Sequence, residues 1–189
     1  MHAETAGGRA GRAGPSDGEI VRAVLAGDRD RYAVLVERYR DRYARYAARM
    51  LGSIDAAEDA VQDAFVRAYD QLAQCHDPDK FVGWFFLILR NRCFAEQRKY
   101  RSQVSLDAAA AVPTSDRSDD GTETAERRRA LQRALMGLTA EQREVFVLKH
   151  VEGLSYIEIA DRLNTSVPSL KMRMHRAYDR LREQLREHA

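Results

Sequence analysis

"LSYIEIADRLNTSVPSLKMRMHRAYDRL", residues 154–181, reads as one amphipathic stretch except that Pro168 stands inside it. Proline lacks the backbone N–H and clashes with the preceding turn, so one unbroken helix is a poor reading. Ile157, Ile159, Ala160 and Leu163 set out a short helix. A long one restarts near Val167 and carries Leu170, Met174, Ala177, Tyr178, Leu181 and Leu185 inward. Between them "NTSVP" supplies Asn164, Thr165 and Ser166 to turn and cap the chain, with Pro168 at an early helical position where its missing N–H costs nothing. Two helices joined by so tight a turn form a helix-turn-helix. On the second helix Ser169, Lys171, Met172, Arg173 and Arg176 point away from the core, and Ser166 joins them at its start. A basic outer face fits a DNA groove, and the helix start offers amides to a phosphate. An ordinary helical corner with a solvated basic face has the same local pattern.

Helical periodicity continues upstream. Thr139 to Gln142, "TAEQ", fits a capping box that opens a helix with Val145, Phe146, Leu148 and Val151 on its buried face and Gly153 just past its end. "SYIE" at Ser155 to Glu158 is a second capping-box pattern. Leu131, Ala134, Leu135 and Leu138 mark the helix before. The composition then changes. Ser102 to Glu126 holds six acids (Asp107, Asp116, Asp119, Asp120, Glu123, Glu126) against Arg117, many Ser and Thr, and no aromatic residue. So few apolar groups cannot pack, which predicts a flexible acidic linker over 102–124.

Before the linker three helices are expected. Tyr32, Leu35, Val36, Tyr39, Tyr43, Tyr46, Ala47 and Met50 form the first stripe, and "GSID" breaks it. A second runs from about Asp55 to Leu72, with Ala57, Val61, Ala64, Phe65, Ala68 and Leu72 inward. "AQCHDPDK" is a loop, and a third long helix covers about Asp79 to Arg98. The N-terminus, "MHAETAGGRAGRAGPS", is rich in Gly, Ala and Arg without periodicity and predicts a disordered tail over 1–16. It lacks the apolar core of a secretory signal, and "FVGWFFLIL" is too short to cross a bilayer, so an intracellular, cytoplasmic protein without membrane insertion is expected. The fold class that follows is all-α: two small helical domains, 17–101 and 125–189, joined by the acidic linker.

The chain of 189 residues has 44% apolar and 32% charged residues and a formal net charge of +2. That near-neutral total hides opposite faces. Gly52 to Asp79 carries seven acids against Arg67, while Arg90 to Arg101 carries five bases against Glu96. Faces of opposite sign imply more than one kind of partner. Cys75 and Cys93 are too few for a disulfide framework; they read as reduced structural thiols, with a redox switch as the sharper alternative. No Cys/His metal spacing, Gly-rich phosphate loop or nucleophile motif is present, so neither a cofactor nor an enzymatic activity is expected.

"LTAEQREVFVLKHVEGLSYIEIADRLNTSVPSLKMRMHRAYDRL" resembles the fourth domain of bacterial sigma factors, in particular the extracytoplasmic-function (ECF) class of the sigma-70 family. Pro168 stands where that pattern has Gly, and Met172 where it has Ser, so base preference is expected to depart from the family's. Upstream, "SIDAAEDAVQDAFVRAY" and "FVGWFFLILRNRCFAEQRK" resemble, in the right order, the two signatures of the second sigma domain. The resemblance covers most of the chain and leaves no room for a third domain.

The resemblance implies a chain that binds core RNA polymerase through its clamp and flap regions and directs it to promoters. Asp59, Gln62 and Asp63 would contact the clamp. Asp59 and Asp63 lie at i, i+4, where like charges repel, which agrees with an external basic partner; a solvated acidic face is the plainer reading. Arg90, Asn91, Ala95, Arg98 and Lys99 would face locally melted −10 DNA, where bases neutralise phosphate and an Asn amide can pair with an adenine edge. Ala95 has no polar reach. The loop 73–80 would take an unstacked base. Ser166, Ser169, Lys171, Met172, Arg173 and Arg176 would face double-stranded −35 DNA. Phe81, Trp84, Phe85, Leu87 and Ile88 are either core or strand-separating groups. The linker is either a tether or a polyanion threading the polymerase. An anti-sigma factor is the further partner the family implies. Two other readings stay open: a stand-alone helix-turn-helix regulator, and a sigma-like scaffold with acquired catalysis.

Overall fold

The computed structural model describes residues 14–106 and 123–187, and every described element is helical. The elements are α1 (Asp17–Leu25), α2 (Tyr32–Leu51), α3 (Ile54–Asp70), α4 (Phe81–Leu106), α5 (Glu123–Met136), α6 (Ala140–His150), α7 (Tyr156–Leu163) and α8 (Val167–Glu187). Short 3₁₀ turns at Leu72–Gln74 and Pro78–Lys80 bridge α3 to α4.

The first four helices form one bundle. α2 packs on α3 and α4, and α1 closes one end. The periodic stripes do the packing: Leu35, Tyr43, Tyr46, Ala47 and Met50 of α2 meet Ala57, Val61, Ala64, Phe65 and Ala68 of α3, all buried. Phe81, Phe85, Phe86 and Leu89 of α4 complete the core. The Phe65 and Phe85 rings lie 4.3 Å apart, and Tyr43 and Phe85 5.0 Å apart. Contacts of this kind add about 0.5–1.5 kcal/mol each beyond the burial itself. Phe81 and Phe85 are therefore core, while Leu87 is 42% exposed and remains available at the surface.

Two features differ from the expectations. α1 was not anticipated, although Ser16 and Glu19 make a full capping box ahead of Ile20, Val21 and Val24; its short apolar pattern is masked by the glycine-rich tail beside it. α4 continues through Leu106, so the first residues of the expected linker are helical. The remainder of that linker, 107–122, and the tail before Gly14 lie outside the described residues.

The C-terminal helices form the second unit, with α6 packed on α7 and α8. Thr139 with Gln142 and Ser155 with Glu158 form the two expected capping boxes. Asn164 turns the corner in the left-handed region at φ 48°, a conformation Asn tolerates better than most residues. Ser166 Oγ accepts the Ser169 N–H at 3.3 Å, which caps α8 and leaves Pro168 in its first turn. Leu170, Met174 and Ala177 are buried, Leu181 is half-buried and Tyr178 is 39% exposed. α6 is buried beyond its expected face, since Arg143, Glu144 and Val147 are buried too. The physical reason is that α6 is sandwiched, with α8 on one side and α2 of the first bundle on the other.

The two units meet at the C-terminal end of α2. Its last carbonyls take side-chain donors: Gln132 to Ala48 at 3.3 Å, Gln97 to Met50 at 2.6 Å, and Arg143 to Met50 as well. Gly52 ends α2 at φ 78°, and a Cβ there would lie 2.8 Å from Met136 Sδ of α5. Gly52→Val therefore combines a disfavoured backbone conformation with a clash across the junction. It should cost about 1–3 kcal/mol of unfolding free energy, read from urea denaturation.

Candidate functional site

The outer face of α3 carries the first set. Asp59 and Gln62 are exposed, whereas Asp63 is half-buried and its carboxylate accepts Arg92 Nε of α4 at 2.9 Å. Arg92 also donates to Glu96 at 3.0 Å. The repulsion between Asp59 and Asp63 is thus partly relieved from within, and the pull toward an external basic group falls mainly on Asp59. Next to Gln62 a groove of about 720 Å³ opens between α2 and α3. Val36, Val61, Phe65 and Val66 are among its apolar lining, and its polar lining is Glu58, Gln62 and an Arg40–Asp41 pair at 3.1 Å. Val66 is 56% exposed. With Arg40 taken up by Asp41, the groove's net charge is that of Glu58, and an apolar lining with one net acid suits a partner that is both basic and apolar.

The outer face of α4 carries the second set. Asn91, Arg98 and Lys99 are exposed, and Ala95 is half-buried one turn from Asn91. Arg90 is placed differently. Its Nε and Nη2 donate to the Glu144 carboxylate of α6 at 2.5 and 3.0 Å, and its guanidinium stacks 4.4 Å from the Phe94 ring centroid. Glu144 is fully buried, and the Tyr46 hydroxyl donates to it at 3.5 Å. Burial pushes the Glu144 carboxyl up from its ordinary range, with the Arg90 hydrogen bonds and charge pulling it back. Desolvation, the largest single influence, lowers the Arg90 guanidinium, but the hydrogen bonds to Glu144 and its negative charge together outweigh it and shift the group up. A forked guanidinium on a carboxylate is the geometry in which a buried ion pair is best tolerated. Cys93, one turn further on, is fully buried; burial, then Glu144, push its thiol up to about 12.

The loop after α3 is held from three sides. Asp77 accepts the Asp79 N–H at 3.2 Å, the Cys75 thiol donates to the Asp77 carbonyl at 3.4 Å, and Asp79 pairs with Arg22 of α1. A Cβ at Gly18 would lie 1.9 Å from Asp79 Oδ1, so α1 runs directly against this loop. The loop is legible in the sequence, but Gly18 and Arg22 beside it are not, because α1 leaves too short a periodic pattern.

The helix-turn-helix carries the third set. Lys171, Met172 and Arg176 are exposed, Met172 by 56%, while Ser166 is exposed and Ser169 and Arg173 are half-buried. Further along α8, Arg180 pairs with Glu183, and Arg182 and His175 pair with Asp179. Among the described residues no ion pair forms at Lys171 or Arg176, so the positive field is concentrated on the N-terminal half of α8. Among the described residues no group of His, Cys, Asp and Glu could hold a metal ion, and no helix is long and apolar enough to cross a membrane.

Two family models match the chain in this order: Sigma-70 region 2 over residues 35–103, and Sigma-70, region 4 over residues 128–181. The chain is 33% identical over 178 residues to the ECF RNA polymerase sigma factor SigW of Bacillus subtilis, covering 88% of this chain and 95% of that protein. It is 32% identical to the ECF RNA polymerase sigma factor SigE of Mycolicibacterium smegmatis, covering 93% of this chain and 71% of that one. The fold is similar to CnrH, solved in complex with the cytosolic domain of CnrY (TM-score 0.66, 27% identity, 93% of this chain and 100% of that one). It is also similar to the sigma factor RpoE of Bartonella quintana, solved with the anti-sigma factor NepR (TM-score 0.65, 25% identity, 82% of this chain and 96% of that one). With both sigma regions matched in order and 95% of SigW covered at 33% identity, the chain belongs to the ECF class of sigma-70 family RNA polymerase sigma factors.

Proposed function

We propose that this sigma factor uses three separate helical faces for three contacts. The α3 face, Asp59, Gln62 and Asp63 with the groove beside them, binds the clamp of core RNA polymerase. The outer face of α4, Asn91, Ala95, Arg98 and Lys99, with Arg90 once it leaves Glu144, engages opened −10 DNA. The start of α8, Ser166, Ser169, Lys171, Met172, Arg173 and Arg176, engages duplex −35 DNA. The observation that carries this division is the simultaneous exposure, on three different helices, of Asp59 with Gln62, Asn91 with Arg98 and Lys99, and Lys171 with Arg176. Polymerase and both promoter elements can be held without sharing a surface. The −10 unit then spans residues 17–106 and the −35 unit 123–189, with the segment between them as tether.

Sigma factors are transcription initiation factors rather than enzymes; this one supplies specificity, and the polymerase supplies the chemistry. It acts in the cytoplasm. Because the similar chains CnrH and RpoE are solved with CnrY and with the anti-sigma factor NepR, an anti-sigma factor is the proposed regulator here too, and the polymerase flap a second contact. The stand-alone regulator reading is not favoured, since it accounts for only one of the two sigma regions.

The test is transcription by holoenzyme reconstituted with Asn91→Ala, with Lys99→Ala, or with Lys171→Ala and Arg176→Ala together. Asn91→Ala should relax preference at one −10 base by about 1–3 kcal/mol. Lys99→Ala should weaken all promoters alike and flatten the salt dependence. The α8 pair should abolish the benefit of a −35 element. Unaltered −10 and −35 preferences in all three would contradict the division.

A further inference from the structure

Among the described residues of α8, the large apolar side chains left exposed are those of Met172 and Tyr178. Tyr178 is accounted for inside the chain. Its hydroxyl lies 2.7 Å from His150 Nε2, and its ring meets that of Phe146 edge-on at 6.2 Å. Met172, 56% exposed in the second turn of α8, lies instead on the face assigned above to −35 DNA. We infer that Met172, with Pro168 one turn before it, reads the C5 methyl group of a thymine in the −35 element. A thymine at the facing position is then a determinant of promoter choice. The inference rests on the assignment of the start of α8 to duplex −35 DNA, and it names the chemical group which that face recognises.

Pro168 and Met172 stand at i, i+4 and are both exposed, so they form one apolar strip along the helix. Neither side chain can donate a hydrogen bond: proline has no N–H, and a thioether is only a weak acceptor. In the major groove, the apolar group that base pairs present is the thymine methyl. Set against guanine O6 and N7, the strip would take water from two acceptors and return no hydrogen bond, which is costly. The same side chain therefore favours thymine and rejects guanine. Methionine is unbranched and flexible, so it can fit itself to a methyl group without strain.

The surroundings place this strip at the bases and not at the backbone. Lys171 beside it and Arg176 one turn after it are exposed and suit phosphates. The Ser169 N–H is already taken by Ser166 Oγ at 3.3 Å, and His175 Nδ1 lies 2.9 Å from Asp179. The middle of the face is thus apolar, with free cations at its margins. Residues in the first turns of a recognition helix are the ones that reach base edges. Leu170 and Met174, on the opposite face, are the buried residues of these turns, so the fold does not depend on Met172.

The experiment uses polymerase holoenzyme carrying the full chain, either unmodified, Met172→Ser or Met172→Leu. The DNA is a promoter recovered from a randomised library. Each thymine of its −35 element is replaced in turn by deoxyuridine, which keeps the pairing edge and removes only the methyl group. Promoter affinity is read by fluorescence anisotropy. At one position deoxyuridine should weaken the unmodified holoenzyme about fourfold, the effect of one methyl group left unburied. Met172→Ser should be indifferent to deoxyuridine there, and Met172→Leu should keep most of the penalty. A −35 element with no enriched thymine, or no deoxyuridine penalty at any position, would overturn the methyl reading. So would an equal penalty in the unmodified and Met172→Ser proteins, which would trace the loss to DNA shape. A promoter whose scrambled −35 element binds as tightly as the original would instead remove the −35 assignment of α8, and the methyl reading with it.

Discussion

Reversing Asp59 to Arg together with Gln62→Ala is expected to weaken association with core RNA polymerase by about two orders of magnitude. Both residues are exposed on α3 beside the apolar groove, so the substitutions leave the bundle core untouched. A basic partner would meet a like charge where it had an opposite one, and the cost of like charges brought together at an interface is several kcal/mol. Asp63 is deliberately outside this pair. Its carboxylate holds Arg92, and Arg92 holds Glu96, so a change at Asp63 mixes loss of a partner contact with disorder of the α3–α4 junction. Biolayer interferometry against immobilised core enzyme reads the affinity directly. A double variant that binds as tightly as the unmodified chain would show that the clamp contact lies elsewhere.

The largest stability effect should come from Arg143→Ala, at about 3–5 kcal/mol. Arg143 is 2% exposed, and its guanidinium donates to the carbonyls of Leu135 at 2.8 Å, Met136 at 3.0 Å and Leu138 at 3.2 Å, and to that of Met50. It therefore satisfies the end of α5 and the end of α2 with one side chain. A helix end buried without partners for its carbonyls is costly. Arg143→Lys keeps the charge but not the planar fork, so it should recover only a minor part of the loss. Thermal melting followed by circular dichroism would read both variants, and a melting curve for Arg143→Ala that overlays the unmodified one would contradict this role.

Arg143 also shows where the sequence stopped being legible. The stripes on α2, α3 and α8 were plain because each of those helices buries one face, and burial of one face leaves a periodic trace. α6 buries several faces, so Arg143 and Glu144 looked like ordinary surface residues between Gln142 and Val145. Nothing local marks a charge whose partner lies on another unit: Arg90 and Glu144 are 54 positions apart. The corner at Pro168 was legible for the opposite reason, since Asn164, Ser166 and Pro168 act on their own neighbours. The candidate face on α8 followed from the same local logic and the one on α4 from the family resemblance; Asn91, Arg98, Lys99, Lys171 and Arg176 are exposed, whereas Ala95, Ser169 and Arg173 are half-buried and Arg90 is taken up by Glu144. α1 was lost because nine residues of helix give too short a pattern beside a glycine-rich tail, although the Ser16–Glu19 capping box was there to be read.

The most direct test of promoter selection by this chain is runoff transcription from a randomised promoter library with core polymerase, with and without the purified full-length protein. The expected result is a set of start sites absent with core alone, each preceded by two enriched sequence elements at one fixed spacing. Transcripts scattered as they are with core alone, or a single enriched element without its spaced partner, would contradict promoter recognition by two helical units acting together.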